Sequence, residues 1–153
     1  MGETIAQNRR ARHEFSIEDT FEAGIVLRGT EIKSVRAHKV SLADAYARIE
    51  KDEAWVIGLH IAPWENADVR FNHEPKRARK LLLHRAQIDQ LLGKTRAKGL
   101  TIVPLSIYIN DRGKAKMLLG LARGKQTWDR RREIADRDSK REIAREMADA
   151  RRR

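Results

Sequence analysis

Apolar residues almost disappear from this chain after residue 122, and that loss limits the folds that the chain can adopt. The large aliphatic side chains of residues 123–153 are Ile134, Ile143 and Met147. So few apolar side chains bury too little surface to offset the entropy lost in ordering a segment of this length. The core must therefore come from the preceding residues, which predicts a folded domain at 1–122 and a separate tail at 123–153.

The tail is rich in charge. It holds 12 basic and 7 acidic residues, in a chain whose net charge is +11. A field of this sign attracts polyanions, nucleic acid first and anionic membranes second. Glu133 and Arg137, like Asp136 and Lys140, have the i,i+4 spacing that supports a helix. We expect the tail to be disordered alone and helical against an anionic surface.

Composition excludes several classes of protein. The chain has no cysteine, which excludes disulfide scaffolds, thiolate zinc sites and thiol nucleophiles. No apolar run approaches the roughly 20 residues of a membrane span, and the first 12 residues lack the apolar stretch of a signal peptide. We therefore expect a cytoplasmic protein with no membrane partner.

Alternation of apolar and polar residues predicts that strands dominate the first 122 residues. In the stretch 54–61, Trp55, Ile57, Leu59 and Ile61 would share one face. The predicted strands are 45–50 paired with 54–61, 100–109 paired with 114–121, and a further strand at 80–84.

The pair at 100–121 has the strongest signal, because its two strands flank the turn sequence Asn-Asp-Arg-Gly at 110–113. Pro104 cannot donate to a strand ladder, so it should lie at an edge or a bulge. The residues that would share one face of the first strand are Val103, Leu105, Ile107 and Ile109.

Two short helices interrupt the predicted strands. Thr30 is a candidate N-cap for a helix at 31–38, and a second helix at 85–92 would end at Gly93. Many short antiparallel strands with two or three small helices favour a mainly β, closed barrel over an open sheet, because closure removes exposed strand edges.

Nothing in the sequence converges on catalysis. The five histidines fall on separate elements without metal-ligand spacing. Residues 120–125 resemble a phosphate-binding loop, but their glycines are one residue too close and Gln126 stands where a Ser or Thr would bind magnesium. We predict no catalytic residue, no metal site and no cofactor, and so a protein that is not an enzyme.

Two basic runs and one aromatic residue point to RNA instead. The runs are residues 8–12 and 76–80, and the second leads directly into the apolar stretch 81–83. Basic groups beside an apolar β surface suit contacts with phosphates and unpaired bases. Trp128, at the start of the tail among arginines, could stack on a base. Few aromatic residues favour recognition of a folded RNA over general single-strand binding.

Several blocks of the sequence closely resemble the SmpB family of bacterial SsrA-binding proteins. The resemblance extends in order over nearly the whole chain. The matching blocks are 8–15, 21–25, 29–36, 77–84, 121–125 and 129–131.

The resemblance implies a fold and a function. Members of this family have a barrel of the oligonucleotide-binding (OB) type and a tail that is unstructured in solution. They bind the tRNA-like domain of tmRNA and deliver it to stalled ribosomes, where the tail folds as a helix in the empty mRNA channel. Elongation factor Tu and alanyl-tRNA synthetase would be indirect partners, through tmRNA.

The resemblance also implies roles for individual residues, carried over by motif. The residues expected to contact tmRNA are Asn8, Glu22 and Leu82, with Arg10, Arg79 and Lys80 as phosphate partners. The residues expected to contact the ribosome near its decoding centre are Arg123, Lys125, Trp128, Asp129, Arg130 and Arg131.

Three other classes stay open at this point. One is a different translation-associated barrel, similar to an initiation factor or a ribosomal protein. Another is a metal-dependent nuclease, although no set of carboxylates converges on one. The third is a binder of anionic membranes, although the tail lacks the leucine-rich and aromatic face that such helices use.

Overall fold

The structure is a computed structural model that describes residues 2–124 together with Arg141 and Arg145, both of which are helical and exposed. The rest of the predicted tail lies outside the described residues. Three α-helices occur within residues 2–124: α1 (Arg9–Glu14), α2 (Gly29–Arg36) and α3 (Arg85–Lys98). A short 3-10 helix covers Val69–Phe71.

The described part of the chain contains nine strands. They are β1 (Glu3–Gln7), β2 (Phe15–Ile25), β3 (Val40–Ser41), β4 (Tyr46–Glu50), β5 (Glu53–Ile57), β6 (His60–Ile61), β7 (Arg79–Leu82), β8 (Thr101–Ile109) and β9 (Ala115–Gly124).

Seven strands form one antiparallel sheet in the order β1-β8-β4-β5-β7-β2-β9. Strand β9 also pairs with β8, so the pairings of six strands return to the strand where they began. Strands β3 and β6 form a separate two-stranded sheet. The prediction of a mainly β chain with a few helices is confirmed.

Apolar side chains pack on both faces of β8 and β9. On the inward face, Ile107, Met117 and Leu121 are fully buried in the main core, which Val35 of α2 and Leu91 of α3 also enter. On the outward face a smaller cluster joins Ala11 of α1 to other buried side chains. Those side chains are Val103, Leu105 and Ala122.

The β8–β9 pair forms as predicted, but the predicted face of β8 is wrong. Val103 and Leu105 pack outward against α1, whereas Ile107 packs inward. The register shifts between Pro104 and Ser106, so the alternation changes phase there. The prediction that Pro104 lies at a bulge is confirmed.

The predicted strand 54–61 is interrupted at Gly58. Its φ is 74°, and a Cβ there would lie 2.4 Å from the carbonyl oxygen of Asp44, so only glycine fits. Strand β5 therefore ends at Ile57, and its core-facing residues are Ala54 and Val56 rather than Trp55.

Both predicted helices form with different ends. Thr30 does not cap α2, because its hydroxyl hydrogen-bonds to Nδ1 of His73 at 2.9 Å. Instead, Oε1 of Glu31 accepts from the backbone N–H of Arg28 at 2.8 Å. Helix α3 continues through Gly93 and stops at Gly99, which has the left-handed conformation.

Candidate nucleic-acid interface

Four neighbouring strands, β7, β2, β9 and β8, present a continuous outward surface. Gly24 of β2 pairs with Leu82 of β7 and with Lys116 of β9, and Lys116 pairs with Tyr108 of β8. Paired residues in a sheet point to the same side, so these four positions form one row on the side opposite the core. We call this surface the open face, and its residues are Lys80, Leu82, Glu22, Gly24, Val26, Lys116, Leu118 and Tyr108.

The open face exposes large apolar side chains. Leu82 is 54% exposed and Val26 is 45% exposed. Val26 directly follows β2 and stays beside β7, since its backbone N–H donates to the carbonyl of Lys80 at 3.0 Å. Exposed apolar groups next to cations are a surface on which unpaired nucleobases can pack.

Gly24 lies at the centre of this row. A Cβ at Gly24 would lie 3.3 Å from Cβ of Leu82 and 3.7 Å from Nζ of Lys116. The missing side chain therefore leaves room for the Lys116 ammonium group to lie over β2, close to Leu82. Sequence reasoning missed Lys116, because its place beside Leu82 depends on pairing between three strands.

Glu22 carries a negative charge on this otherwise cationic surface. Its Oε2 accepts a hydrogen bond from the hydroxyl of Tyr108, a residue that sequence reasoning also missed. Within residues 2–124, Glu22 forms no ion pair. Burial of the hydroxyl and the nearby Glu22 carboxylate raise the pKa of Tyr108, so the hydroxyl remains a donor.

Helix α1 brings the first basic run to the same outward surface. Its cluster with Ala11 also includes Leu118, which pairs with Glu22. Arg10 is exposed on this helix. The structure therefore places Arg10 on the side of the sheet that carries Glu22, Lys80 and Leu82.

Asn8 anchors α1 to β8. Its Oδ1 accepts from the N–H of Ala11 at 3.3 Å, and its Nδ2 donates to the carbonyl of Pro104 at 3.1 Å. Its backbone N–H donates to the carbonyl of Leu105 at 2.8 Å. Asn8 thus has a clear structural role in positioning α1.

The structure corrects the predicted role of Arg79. This residue is fully buried, and its guanidinium group donates to Oε2 of Glu31 and to the carbonyl of Leu59, both at 2.6 Å. It also donates to the carbonyl of Pro75 at 3.0 Å. A group with no exposed surface cannot meet a phosphate, so Arg79 supports β7 from within.

Glu31 is the buried partner of two arginines. Nη2 of Arg77 lies 2.5 Å from Oε1 of Glu31. Burial raises the pKa of Glu31, but hydrogen bonds from Arg77 and Arg28 and the charge of Arg79 outweigh burial, and the pKa falls below its ordinary value. Lys80, one position beyond Arg79, instead faces outward and lies 3.6 Å from Glu53.

The tail leaves the sheet far from the centre of the open face. Gly124, the last residue of β9, pairs with Phe15 at the start of β2, whereas Gly24 lies near the end of β2. Arg123 is exposed and lies 3.6 Å from Oε1 of Glu18. The other residues predicted to contact the ribosome lie outside the described residues: Lys125, Trp128, Asp129, Arg130 and Arg131.

Two further findings concern the described residues alone. They contain no group of three or more His, Cys, Asp or Glu side chains that could hold a metal ion. Among their helices, none has both the length and the apolar character needed to cross a membrane.

Comparison with known proteins gives consistent matches. The model of the SmpB protein family matches residues 5–149. The chain is 54% identical over 144 residues to the SsrA-binding protein of Desulforamulus reducens, covering 94% of this chain and 89% of the relative. It is also 54% identical over 144 residues to the SsrA-binding protein of Listeria monocytogenes, covering 94% of this chain and 92% of the relative.

A solved structure is similar in both fold and sequence. It is described as "tmRNA-SmpB: a journey to the center of the bacterial ribosome" and matches with a TM-score of 0.67 and 51% identity. The match covers 92% of this chain and 94% of the solved one.

Proposed function

This chain belongs to the SmpB family, and from that premise we infer that it binds tmRNA and acts in trans-translation on the ribosome. Its relatives are SsrA-binding proteins, and the similar solved structure is of tmRNA and SmpB in the ribosome. Membership of this family decides against the other translation-associated barrels. The chain is an RNA-binding adaptor, and we propose that it works in the cytoplasm without catalysing a reaction.

We further propose that the main sheet is an OB-type barrel. The support is the circular order of its strand pairings, in which β9 meets both β2 and β8. A sheet whose hydrogen bonding returns to its first strand leaves few free edges. Its outward surface is then available for RNA.

The open face is the proposed contact surface for the tRNA-like domain of tmRNA. Lys80, Lys116 and Arg10 supply positive charge for phosphates, and Leu82 with Val26 packs against unpaired bases. Glu22 accepts a hydrogen bond from a base amino group. The observation that carries this proposal is the exposure of Leu82 beside Gly24 and Lys116 in a single strand-paired row.

The tail is the proposed ribosome contact. We propose that it enters the empty mRNA channel and folds there as a helix, with Arg123, Lys125 and Trp128 near the decoding centre together with residues 129–131. The separation of Gly124 from Gly24 along β2 and β9 supports a division between the two contacts. Elongation factor Tu and alanyl-tRNA synthetase would meet this protein only through tmRNA.

A truncation tests this division. Removal of residues 124–153 should leave tmRNA affinity largely intact and abolish tagging on ribosomes stalled without a stop codon. The matched control is Leu82→Glu in the full chain, which should weaken tmRNA binding by about tenfold or more, since it places a negative charge at a contact. A truncated chain that still supports tagging would contradict the role of the tail. Retention of tmRNA affinity in Leu82→Glu would contradict the role of the open face.

A further inference from the structure

The contact between Tyr108 and Glu22 suggests a function for a residue of the open face to which the proposed function assigns no contact with RNA. We propose that Tyr108 is a positioning residue, which fixes the carboxylate of Glu22 so that it can discriminate between RNA partners. This inference rests on the proposed function of the open face.

The path of the hydrogen bond is unusual for two strand residues. Glu22 pairs with Leu118, and Tyr108 pairs with Lys116, so β9 lies between the two partners. The Tyr108 hydroxyl therefore reaches diagonally over β9 to Oε2 of Glu22. Neighbouring strands lie about 4.8 Å apart, so β2 and β8 are separated by about twice that distance. Only a long side chain such as that of tyrosine can cross β9 to reach Glu22.

The chemical character of the donor also matters. Lys116 pairs with Gly24, two residues from Glu22 along β2, and its ammonium group lies over Gly24. An ion pair with Lys116 would neutralise the carboxylate and remove the lysine from the phosphates. The hydroxyl of Tyr108 holds the Glu22 carboxylate in place without pairing it with a cation.

A fixed carboxylate is useful in RNA recognition because it is selective. A negative charge repels phosphates and binds donors such as base amino groups. When the carboxylate is held by one oxygen, the other oxygen remains available to such a donor. A carboxylate that could rotate freely would lose entropy on binding and would discriminate less.

The variant Tyr108→Phe removes only the hydroxyl. Its affinity for the tRNA-like domain of tmRNA should fall by about fivefold, as expected for the loss of one hydrogen bond that orders a charged group, and its affinity for an unrelated RNA duplex should be unchanged. The control is Tyr46→Phe, which removes the hydroxyl of the other tyrosine, on β4 outside the open face. Equal losses on both RNAs, or no loss on either, would overturn the proposal.

A double-mutant cycle separates positioning from a general structural effect. In a Glu22→Gln background, Tyr108→Phe should cause little additional loss of tmRNA affinity, because the group that it positions has already changed. Independent, additive losses would overturn the proposal. The slope of affinity against salt should be the same for Tyr108→Phe and the wild type, because no charge is removed; a changed slope would count against positioning.

The contact itself can be measured without RNA. Phenolate absorbance reports the titration of the two tyrosines at high pH, and Glu22→Gln should make Tyr108 titrate earlier than it does in the wild type. An unchanged titration would overturn the contact. If the wild-type chain failed to prefer the tRNA-like domain over the duplex, the proposed function would be wrong, and the absorbance titration would still decide the Tyr108–Glu22 contact.

Discussion

Strand β7 carries positive charge on both of its faces, and the two faces use it differently. On the inward face, Arg79 is fully buried, and its guanidinium group donates hydrogen bonds to Glu31 and to backbone carbonyls. Outward, Lys80 is partly exposed next to Leu82, on the open face. Adjacent cations of one short strand therefore belong to different regions, an internal ionic network and the proposed RNA contact surface.

The difference shows what a run of basic residues can and cannot mean. In an extended strand, successive side chains point to opposite faces, so a basic run on a strand cannot form one uniform phosphate site. A buried charge has to be paired and hydrogen-bonded, and Glu31 meets this need for Arg79. Substitution in the internal network should therefore lower the stability of the fold, whereas substitution on the open face should lower RNA affinity and leave stability almost unchanged.

The largest effect is expected from Arg79→Met. Removal of one partner from a buried ion pair costs about 3–5 kcal/mol, because the other charge remains buried. The free energy of unfolding, measured by urea denaturation, should fall by this amount.

Lys80→Met is the matched control for the outward face. It should change the free energy of unfolding by less than about 0.5 kcal/mol, as is usual for exposed substitutions, while weakening RNA binding. Its salt slope should fall by about 0.7–0.9, the value for one phosphate contact. If Arg79→Met had the same free energy of unfolding as Lys80→Met, the ion pair between Arg79 and Glu31 would not stabilise the fold as predicted.

Acid should weaken the same internal network by titrating Glu31. Because the pKa of Glu31 is lowered in the folded state, its stabilising effect is complete above its ordinary pKa of 4.5 and is lost as the pH falls through the folded value. Urea unfolding should therefore show that the wild type loses stability in acid more steeply than Glu31→Gln does. Parallel pH profiles for the two proteins would contradict this prediction.

A smaller effect than that of Arg79→Met is expected from substitution of two glycines on the outward side of the sheet. A Cβ at Gly120 would lie 3.0 Å from Cδ1 of Leu105 and 3.3 Å from Cδ1 of Ile17, both packed near α1. Gly120→Ala should destabilise the protein by about 1–3 kcal/mol through overpacking.

Gly24→Ala gives the contrast. Its new methyl group would meet Leu82 and Lys116 at an exposed surface, so the thermal midpoint should hardly change. RNA affinity should fall, because the new methyl group would crowd Leu82 at 3.3 Å and fill the space beside the ammonium group of Lys116. A Gly24→Ala variant that lost stability but kept its RNA affinity would contradict this prediction, because Gly24 would then serve packing rather than RNA binding.

Local chemistry explains what could be predicted from the sequence. The β8–β9 pair follows from its turn, and even the position of Pro104 follows from its missing N–H. The break in the strand at Gly58 could not be predicted, because apolar residues continue on both sides of it. A side chain at position 58 would clash with the carbonyl of Asp44, which is distant in the sequence. Helix α3 continues past Gly93 because a glycine inside a helix is tolerated at a modest cost.

The candidate interface was predicted in part. Leu82 and Lys80 could be found from motif and alternation. The same alternation places Arg79 on the buried face with Leu81, a signal that sequence reasoning overlooked. Lys116 and Tyr108 carry no local signal. They become neighbours of Gly24 and Glu22 only through the register of β2, β9 and β8, which no single segment encodes.

The long pairing of β2 with β9 has a mechanical consequence. From Phe15 to Gly24 it runs without a gap in pairing apart from one bulge after Ile17, a length of about 30 Å at the usual rise per residue of a strand. Such a continuous ladder resists bending, so it holds the end of β9 at Gly124 at a constant distance from the open face. If tmRNA binds the open face as proposed, its binding would also fix the position from which residues 125–153 extend.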